Sequence, residues 1–287
     1  MKSSSSFLKN TLKYYLNKFK SFFIREAYYL GDYQLLTRLF TEQLFFVDTR
    51  DISVAPSIIV SGKWEPTMTK VFMETVKDGM TVIDIGGHLG YYTILSGSLV
   101  GIKGNVYTFE ANPIIFETLF KNVFINGFIE KIKIENKAVY SCSTKIKFNT
   151  LKRATGGNSI VHFSDSYKET YQESVETIEI DAISLDDYFG EASQNIDVMK
   201  IDAEGSEPYI FRGMEKLLAR TKKITIFCEF NLGLIVGAGN DPKEFLESLI
   251  RYRFIIKRID AKQGLVNTSI DELLDLKVAD LFLLKNT

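Results

Sequence analysis

Asp202 and Glu204 stand two residues apart in Lys200-Ile201-Asp202-Ala203-Glu204-Gly205, and Glu229 and Asn231 repeat that spacing in Cys228-Glu229-Phe230-Asn231. Residues i and i+2 of a strand point to one side, so each pair can bring two oxygen-bearing side chains to one strand end. Three carboxylates and an amide brought together make an oxygen-rich rim. Such a rim can bind a hard cation such as Mg2+ or supply a general base tuned by its neighbours. Asp202, Glu204 and Glu229 are therefore candidate catalytic residues, with metal binding left open. The structural alternative is that Glu204 caps the helix starting near Ser206 while Asp202 holds backbone amides.

A second constellation lies upstream, in Asp84-Ile85-Gly86-Gly87-His88-Leu89-Gly90. It follows a strand-like run and opens a helix-like one. Glycines without a Cβ let a ligand approach the backbone closely. The spacing Gly86-x-x-x-Gly90 is neither the dinucleotide G-x-G-x-x-G nor a phosphate-binding loop ending in G-K-[ST]. Asp84 at the strand end would repel pyrophosphate and suits an ammonium group. Twenty residues beyond Gly90, Glu110 ends the next strand, where an acid can accept hydrogen bonds from both ribose hydroxyls. The alternative for Glu110 is a surface acid capping the following helix. Together the two features describe an adenosine-type ligand with a cationic, non-phosphate tail, and S-adenosylmethionine (SAM) has both parts.

Alternating strands and helices must position these groups. Strands are predicted at Thr81 to Ile85, Asn105 to Phe109, Lys131 to Ile134, Ile196 to Ile201, Ile224 to Phe230, Phe254 to Ile259 and Leu281 to Leu284. Helices are predicted at Tyr91 to Val100, Pro113 to about Asn126, Pro208 to Ala219 and Pro242 to Arg251. This alternation implies an α/β fold with a mostly parallel, doubly wound sheet, whose ligand binds beyond the carboxyl ends of the strands. Between the third and fourth strands, about residues 138–188, strand-like runs at Lys145 to Phe148, Ser159 to Phe163 and Val175 to Ile180 suggest a β-rich insertion acting as a lid. Asn158 and Ser159 within it are candidates for contact with an acceptor.

The first 25 residues contain six lysines or arginines and no acid, with Leu8, Leu12, Leu16, Phe19 and Phe23 at helical spacing. An amphipathic helix follows, which could lie on an anionic membrane surface or dock on its own domain or on a second subunit of a homo-oligomer. Residues 1–60 are taken as an N-terminal helical extension and 61–287 as the main domain. The net charge of -1 gives nothing to drive nucleic-acid binding. Two distant cysteines, Cys142 and Cys228, read as structural thiols in a reducing compartment. With no apolar secretory signal evident in residues 1 to 25, a cytoplasmic protein is expected, with peripheral membrane contact through that segment as one alternative.

The blocks Asp84 to Thr93, Phe109-Glu110-Ala111-Asn112-Pro113 and Lys200 to Glu207, with Ile183 to Tyr188 and Cys228 to Asn231 in order, resemble the FkbM-type family of SAM-dependent methyltransferases. The resemblance covers about residues 60 to 231. It implies a class I methyltransferase sheet of seven strands ordered 3-2-1-4-5-7-6, the last antiparallel, and methyl transfer to a hydroxyl of a sugar, glycan or secondary metabolite. It implies SAM contacts from Asp84, Gly86, Gly87, His88, Gly90, Tyr91, Glu110, Ala111, Asn112, Ala138 and Asp202. The family usually has Asn where this chain has His88. That histidine either replaces an amide contact or, as a fourth catalytic candidate, assists proton removal. Gly62-Lys63-Trp64-Glu65-Pro66 also matches a family motif, in which Trp64 or Glu65 closes over the site unless the Trp merely packs. Two other readings compete: a nicotinamide oxidoreductase, disfavoured by the glycine spacing and Asp84, and a catalytically silent scaffold or membrane-associated binding protein that kept the fold.

Overall fold

The structure, a computed structural model, describes residues 26–164, 168–170, 172–191 and 195–286. The amphipathic helix expected over residues 1 to 25 lies outside these. Residues 26–60, expected to be helical, instead begin with three antiparallel strands, β1 (Ala27–Gly31), β2 (Gln34–Arg38) and β3 (Leu44–Asp48). In β3, Phe45 and Val47 are buried while their neighbours are half-buried, the period of two that a strand with one covered face requires. The free edge of β3 is closed by a helix. Leu44 and Phe46 each exchange a pair of hydrogen bonds with the side-chain amides of Asn126 and Asn122, at 2.6 to 3.1 Å. Two asparagines one helical turn apart thus stand in for a neighbouring strand.

Two helices follow, α1 (Ala55–Ser61) and α2 (Pro66–Thr75), and then the main sheet begins. Its first half runs β4 (Thr81–Ile85), α3 (Tyr91–Leu99), β5 (Asn105–Phe109), α4 (Pro113–Ile125) and β6 (Ile132–Glu135). The insertion holds β7 (Ala138–Val139), β8 (Thr144–Leu151), β9 (Val175–Ile183) and helix α5 (Leu185–Phe189). The second half runs β10 (Val198–Ile201), α6 (Glu207–Arg212), α7 (Glu215–Arg220), β11 (Lys223–Asn231), α8 (Leu232–Gly237), α9 (Pro242–Arg251), β12 (Ile255–Asp260), β13 (Gly264–Asn267), α10 (Ile270–Leu276) and β14 (Val278–Asn286).

The sheet has eight strands in the order β13-β12-β14-β11-β10-β4-β5-β6. β14 is antiparallel to both of its neighbours, whereas β11, β10, β4, β5 and β6 are parallel. The strand beyond the expected seven is β13, which forms a hairpin with β12; Asp260 accepts the backbone N–H groups of Lys262 and Gln263 to shape the turn. β8 and β9 pair antiparallel along eight residue pairs, with β7 added parallel to β9. Ser159 to Phe163, read as strand-like, forms only an isolated bridge between Ser159 and Asn149. The helix expected from Pro208 to Ala219 is interrupted at Gly213, where a Cβ would come within 2.1 Å of the Tyr140 carbonyl oxygen.

Alternation along the strands divides the core in two. Ile83 and Ile85 face the layer containing Ile210 and Phe211, whereas Val82 faces the layer containing Ile94 and Leu95. The helices after β4 and β10 therefore lie on opposite faces, and a crevice opens between those strands at their carboxyl ends. Cys228 is buried and Cys142 exposed, both as free thiols, so a buried structural role fits only Cys228. Among the described residues, no helix is long and apolar enough to cross a membrane.

Candidate active site

A cavity of about 300 Å3 occupies that crevice, at the lower end of the size range for small-molecule sites. Its wall includes Asp84, Gly86, Gly87, His88, Tyr91, Glu110, Ala111, Ala138, Asp202, Glu204 and Glu229. Two expected contacts are missing from it. Gly90 begins α3, and a Cβ there would press on Leu119 at 2.7 Å. Asn112, a contact implied by the family resemblance, is the N-cap of α4, its Oδ1 accepting the N–H groups of Ile114 and Ile115.

The glycine turn has a different physical cause from the one its sequence suggests. At Gly86 (φ +76°) a Cβ would fall 1.8 Å from the Asp202 carbonyl oxygen, and at Gly87 it would fall 2.4 Å from Thr108 Cγ2. The protein's own atoms fill the space a side chain would take, so these glycines let the turn pack against β10 and β5. The Gly86 and Gly87 N–H groups both donate to the Phe109 carbonyl at 3.0 Å, which fixes the turn over β5.

Asp84 is buried, accepts a 2.6 Å hydrogen bond from Thr93 Oγ1, and is pushed above the usual carboxylate range by its burial. Glu110 is buried as well. Its Oε2 accepts His88 N at 2.8 Å and its Oε1 accepts Asn112 N at 2.7 Å, while burial raises its pKa to about 7. His88 adopts a left-handed backbone (φ 49°), and burial lowers its pKa. Its Nε2 lies 2.9 Å from Thr155 Oγ1 in the insertion. The Thr155 hydroxyl donates its one proton to Asp51 Oδ1 at 3.0 Å, so His88 must donate from Nε2. The imidazole thereby ties the glycine turn to the insertion.

At the ends of the neighbouring strands β10 and β11, Asp202, Glu204 and Glu229 each offer a carboxylate oxygen, all within 4.8 Å of one another. Glu204 does not cap α6, whose N-cap Ser206 makes no side-chain cap bond. Instead Glu207 accepts the N–H groups of Ala203 and Gly205 at 2.9 Å each, and Ser159 Oγ donates to the Glu204 carbonyl at 2.6 Å. These bonds hold Glu204 in a left-handed conformation (φ 48°), a strained state maintained by its surroundings. Ser159 thus supports the rim from behind, and the Asn158 side chain is engaged by Leu151 N. Burial raises Glu204 to about 8 and Glu229 well above its ordinary value. Glu229 Oε2 is buried with no hydrogen-bond partner.

Three groups escaped the sequence reading of the rim. Lys200, buried in β10 in register with Asp84, donates to Asp202 Oδ2 at 2.6 Å and lies 4.7 Å from the Tyr92 ring centroid. Burial alone would lower its pKa, but the surrounding carboxylates Asp202, Glu65 and Asp84 outweigh that and raise it. Glu65, weighed only as a closing residue, has a left-handed backbone (φ 45°), accepts Tyr92 OH at 2.8 Å and is raised by burial to about 7. Asp280 of β14, opposite Glu229 in register, is raised by burial too. One lysine thus stands among several acids, a charge excess that favours a cationic ligand or bound protons.

The fold is thus a mixed α/β sheet with an acid-lined cavity beyond the carboxyl ends of β4 and β10. Residues 84–256 match the model of the Methyltransferase FkbM domain, and the chain belongs to that family. No curated protein matches the sequence. Solved structures with a similar course of chain include the methyltransferase FkbM from Methylobacillus flagellatus KT, at 13% identity and TM-score 0.42, covering 75% of this chain and 50% of that one. Others are an O-methyltransferase from Bacillus cereus in complex with SAH (16%, 0.44, covering 80% and 86%) and a SAM-dependent O-methyltransferase from Thermotoga maritima (13%, 0.42, covering 88% and 93%).

Proposed function

We propose that the chain is a SAM-dependent O-methyltransferase acting on a hydroxyl of a sugar, glycan or secondary metabolite. Membership of the FkbM methyltransferase family supports the methyl donor. The single observation that carries the reading is one cavity lined by the acids of four neighbouring strand ends: Asp84 of β4, Glu110 after β5, Asp202 and Glu204 after β10, and Glu229 of β11. In this reading the ribose hydroxyls donate to the lone pairs of Glu110 left free by His88 N and Asn112 N. The ammonium group lies toward Asp84, and the sulfonium methyl faces the rim.

Methyl transfer is an in-line displacement. The acceptor oxygen forms a bond to the methyl carbon as the sulfur–methyl bond breaks, SAM leaves as neutral S-adenosylhomocysteine, and the hydroxyl proton passes to a base. Holding the two partners in line supplies much of the rate. Glu204, raised to about 8, is matched to accepting that proton near neutral pH. Lys200 steadies Asp202 beside it. His88, committed to Thr155, fits a positioning contact better than proton removal.

The three rim carboxylates, with the unpartnered Glu229 Oε2 among them, are a donor set of the type Mg2+ prefers. When bound, such an ion would lower the pKa of a coordinated hydroxyl. Turnover of methyl-labelled SAM in the presence of a glycan extract tests the proposal. Label is expected in an ether that survives mild base. Tight SAM binding without transfer to any extract would favour the silent scaffold, and NAD binding without SAM binding would favour the oxidoreductase.

A further inference from the structure

The insertion reaches the glycine turn through one hydroxyl. Residues 152–156, which carry it, are pinned by two sets of bonds. Glu173, itself buried, accepts the N–H groups of Lys152, Arg153 and Ala154. Ile52 N donates to the Arg153 carbonyl at 2.9 Å, and Gly156 N donates to Ser53 Oγ at 3.0 Å. Thr155 is thereby fixed, with its Oγ1 between His88 Nε2 at 2.9 Å and Asp51 Oδ1 at 3.0 Å.

Asp51 sets the direction of every proton in this chain of bonds. It is buried and accepts Ser53 N at 3.0 Å, Val54 N at 2.9 Å and Ala55 N at 2.8 Å. Burial alone would raise its pKa, but the bonds from Ser53 and Ala55 outweigh that and lower it. An ionised carboxylate only accepts, so the Thr155 proton goes to Asp51 and the proton on His88 Nε2 goes to Thr155. Burial lowers the pKa of His88, which keeps the ring neutral near neutral pH, so its other nitrogen, Nδ1, carries a bare lone pair. Nδ1 has no hydrogen-bond partner among the described residues. Nor is it sealed, for the buried side-chain atoms left without a partner there are Thr41 Oγ1, Gln43 Oε1 and Glu229 Oε2. His88 lines the cavity, and the lone pair is open to its ligand.

We propose that Asp51 and Thr155 are positioning residues that hold His88 in this tautomer, so that Nδ1 accepts a hydrogen bond from the ammonium group of the methyl donor. This rests on the reading of the cavity given above, in which that ammonium lies toward Asp84. An ammonium has three N–H donors, and Asp84 Oδ2 already accepts Thr93 Oγ1. His88 stands four residues further along the same turn and supplies a second acceptor. In the other tautomer the ring would present an N–H to the cation, and attraction would become repulsion. A single hydroxyl of the insertion thus tunes the hold on the amino-acid end of the ligand.

Histidine 15N spectra and titration calorimetry of the full chain test this. The chain has two histidines, and His162 is exposed, so a His162→Gln background leaves the His88 ring alone in the spectrum. The ligand-free protein is expected to show a protonated Nε2 and a bare Nδ1, and S-adenosylhomocysteine should shift the Nδ1 resonance toward that of a protonated nitrogen. Thr155→Val should mix the tautomers and weaken S-adenosylhomocysteine binding roughly tenfold, while Thr155→Ser restores both. The analogue lacking the α-amino group has no ammonium to offer, so Thr155→Val should leave its affinity unchanged. A bare Nε2 in the ligand-free protein, undiminished binding by the valine variant, or an equal loss for both ligands would each overturn the proposal. An unaltered chain that shows the tautomer but binds no S-adenosylhomocysteine would overturn the reading of the cavity, and the ammonium contact with it.

Discussion

The carboxylate of Glu110 bridges His88 and Asn112, accepting the backbone N–H of the first at 2.8 Å and of the second at 2.7 Å. One acid at the end of β5 thereby fixes the two loops that bracket the cavity. Glu110→Ala should weaken SAM binding by about 1–3 kcal/mol, since charge-assisted hydrogen bonds to the ribose vanish along with that bracket. Titration calorimetry checks this. Unchanged affinity would remove Glu110 from the ribose site.

Gly86 tolerates no side chain. Its Cβ would sit 1.8 Å from a backbone oxygen, and its φ is +76°. Gly86→Ala should cost about 2 kcal/mol or more through strain and the forced separation of β4 from the loop after β10. A thermal melt of the ligand-free protein measures the loss. A midpoint equal to that of the unaltered chain would mean the turn is held less tightly than the geometry requires.

The buried carboxyls Glu110 and Glu207 and the half-buried Glu65 and Glu204 should leave a mark on stability against pH. Glu65, Glu110 and Glu207 are raised from 4.5 to about 7 and Glu204 to about 8, each by burial. A carboxyl raised on folding binds its proton more tightly when folded. Its contribution to stability is complete below its unfolded value and is lost as pH rises through its folded value. The ligand-free protein should therefore melt at progressively lower temperature as pH climbs from about 5 to about 8. Glu65→Gln keeps an acceptor for Tyr92 OH and cannot ionise, so up to about 3 kcal/mol of that dependence should disappear. Melting curves of the two proteins across pH decide it; equal slopes contradict the assignment.

The bond between His88 and Thr155 joins the glycine turn to the insertion. Thr155→Val preserves shape but leaves His88 Nε2–H and Asp51 Oδ1 each without this partner. A stability loss of about 1–3 kcal/mol is expected, with faster amide exchange over residues 153–158 than over β4. Protection of that segment equal to the original would show that the insertion is held by other contacts.

The stretch from β4 to α4 was legible because a buried strand, a glycine break and a proline-started helix each leave a local signature. Glu110 and the Asp202, Glu204 and Glu229 set were legible for the related reason that strand ends of a parallel sheet converge. Lys200 was not, because a lysine inside a strand reads as an exposed position. Only the pairing of β10 between β4 and β11 turns it inward, beside Asp84. Glu65 reaches the cavity through a left-handed residue ahead of α2, a conformation that no periodicity announces. The role of Gly86 depends on a contact 116 residues away in sequence, with Asp202. The N-terminal sheet was missed because β1 is open on both faces and has no alternation to read.

The most direct measurement is a crystal structure of the protein soaked with S-adenosylhomocysteine. The account predicts the ribose hydroxyls on Glu110, the amino group toward Asp84, and the sulfur facing Asp202, Glu204 and Glu229. A ligand bound elsewhere, or bound with its sulfur turned away from those three carboxylates, would contradict it.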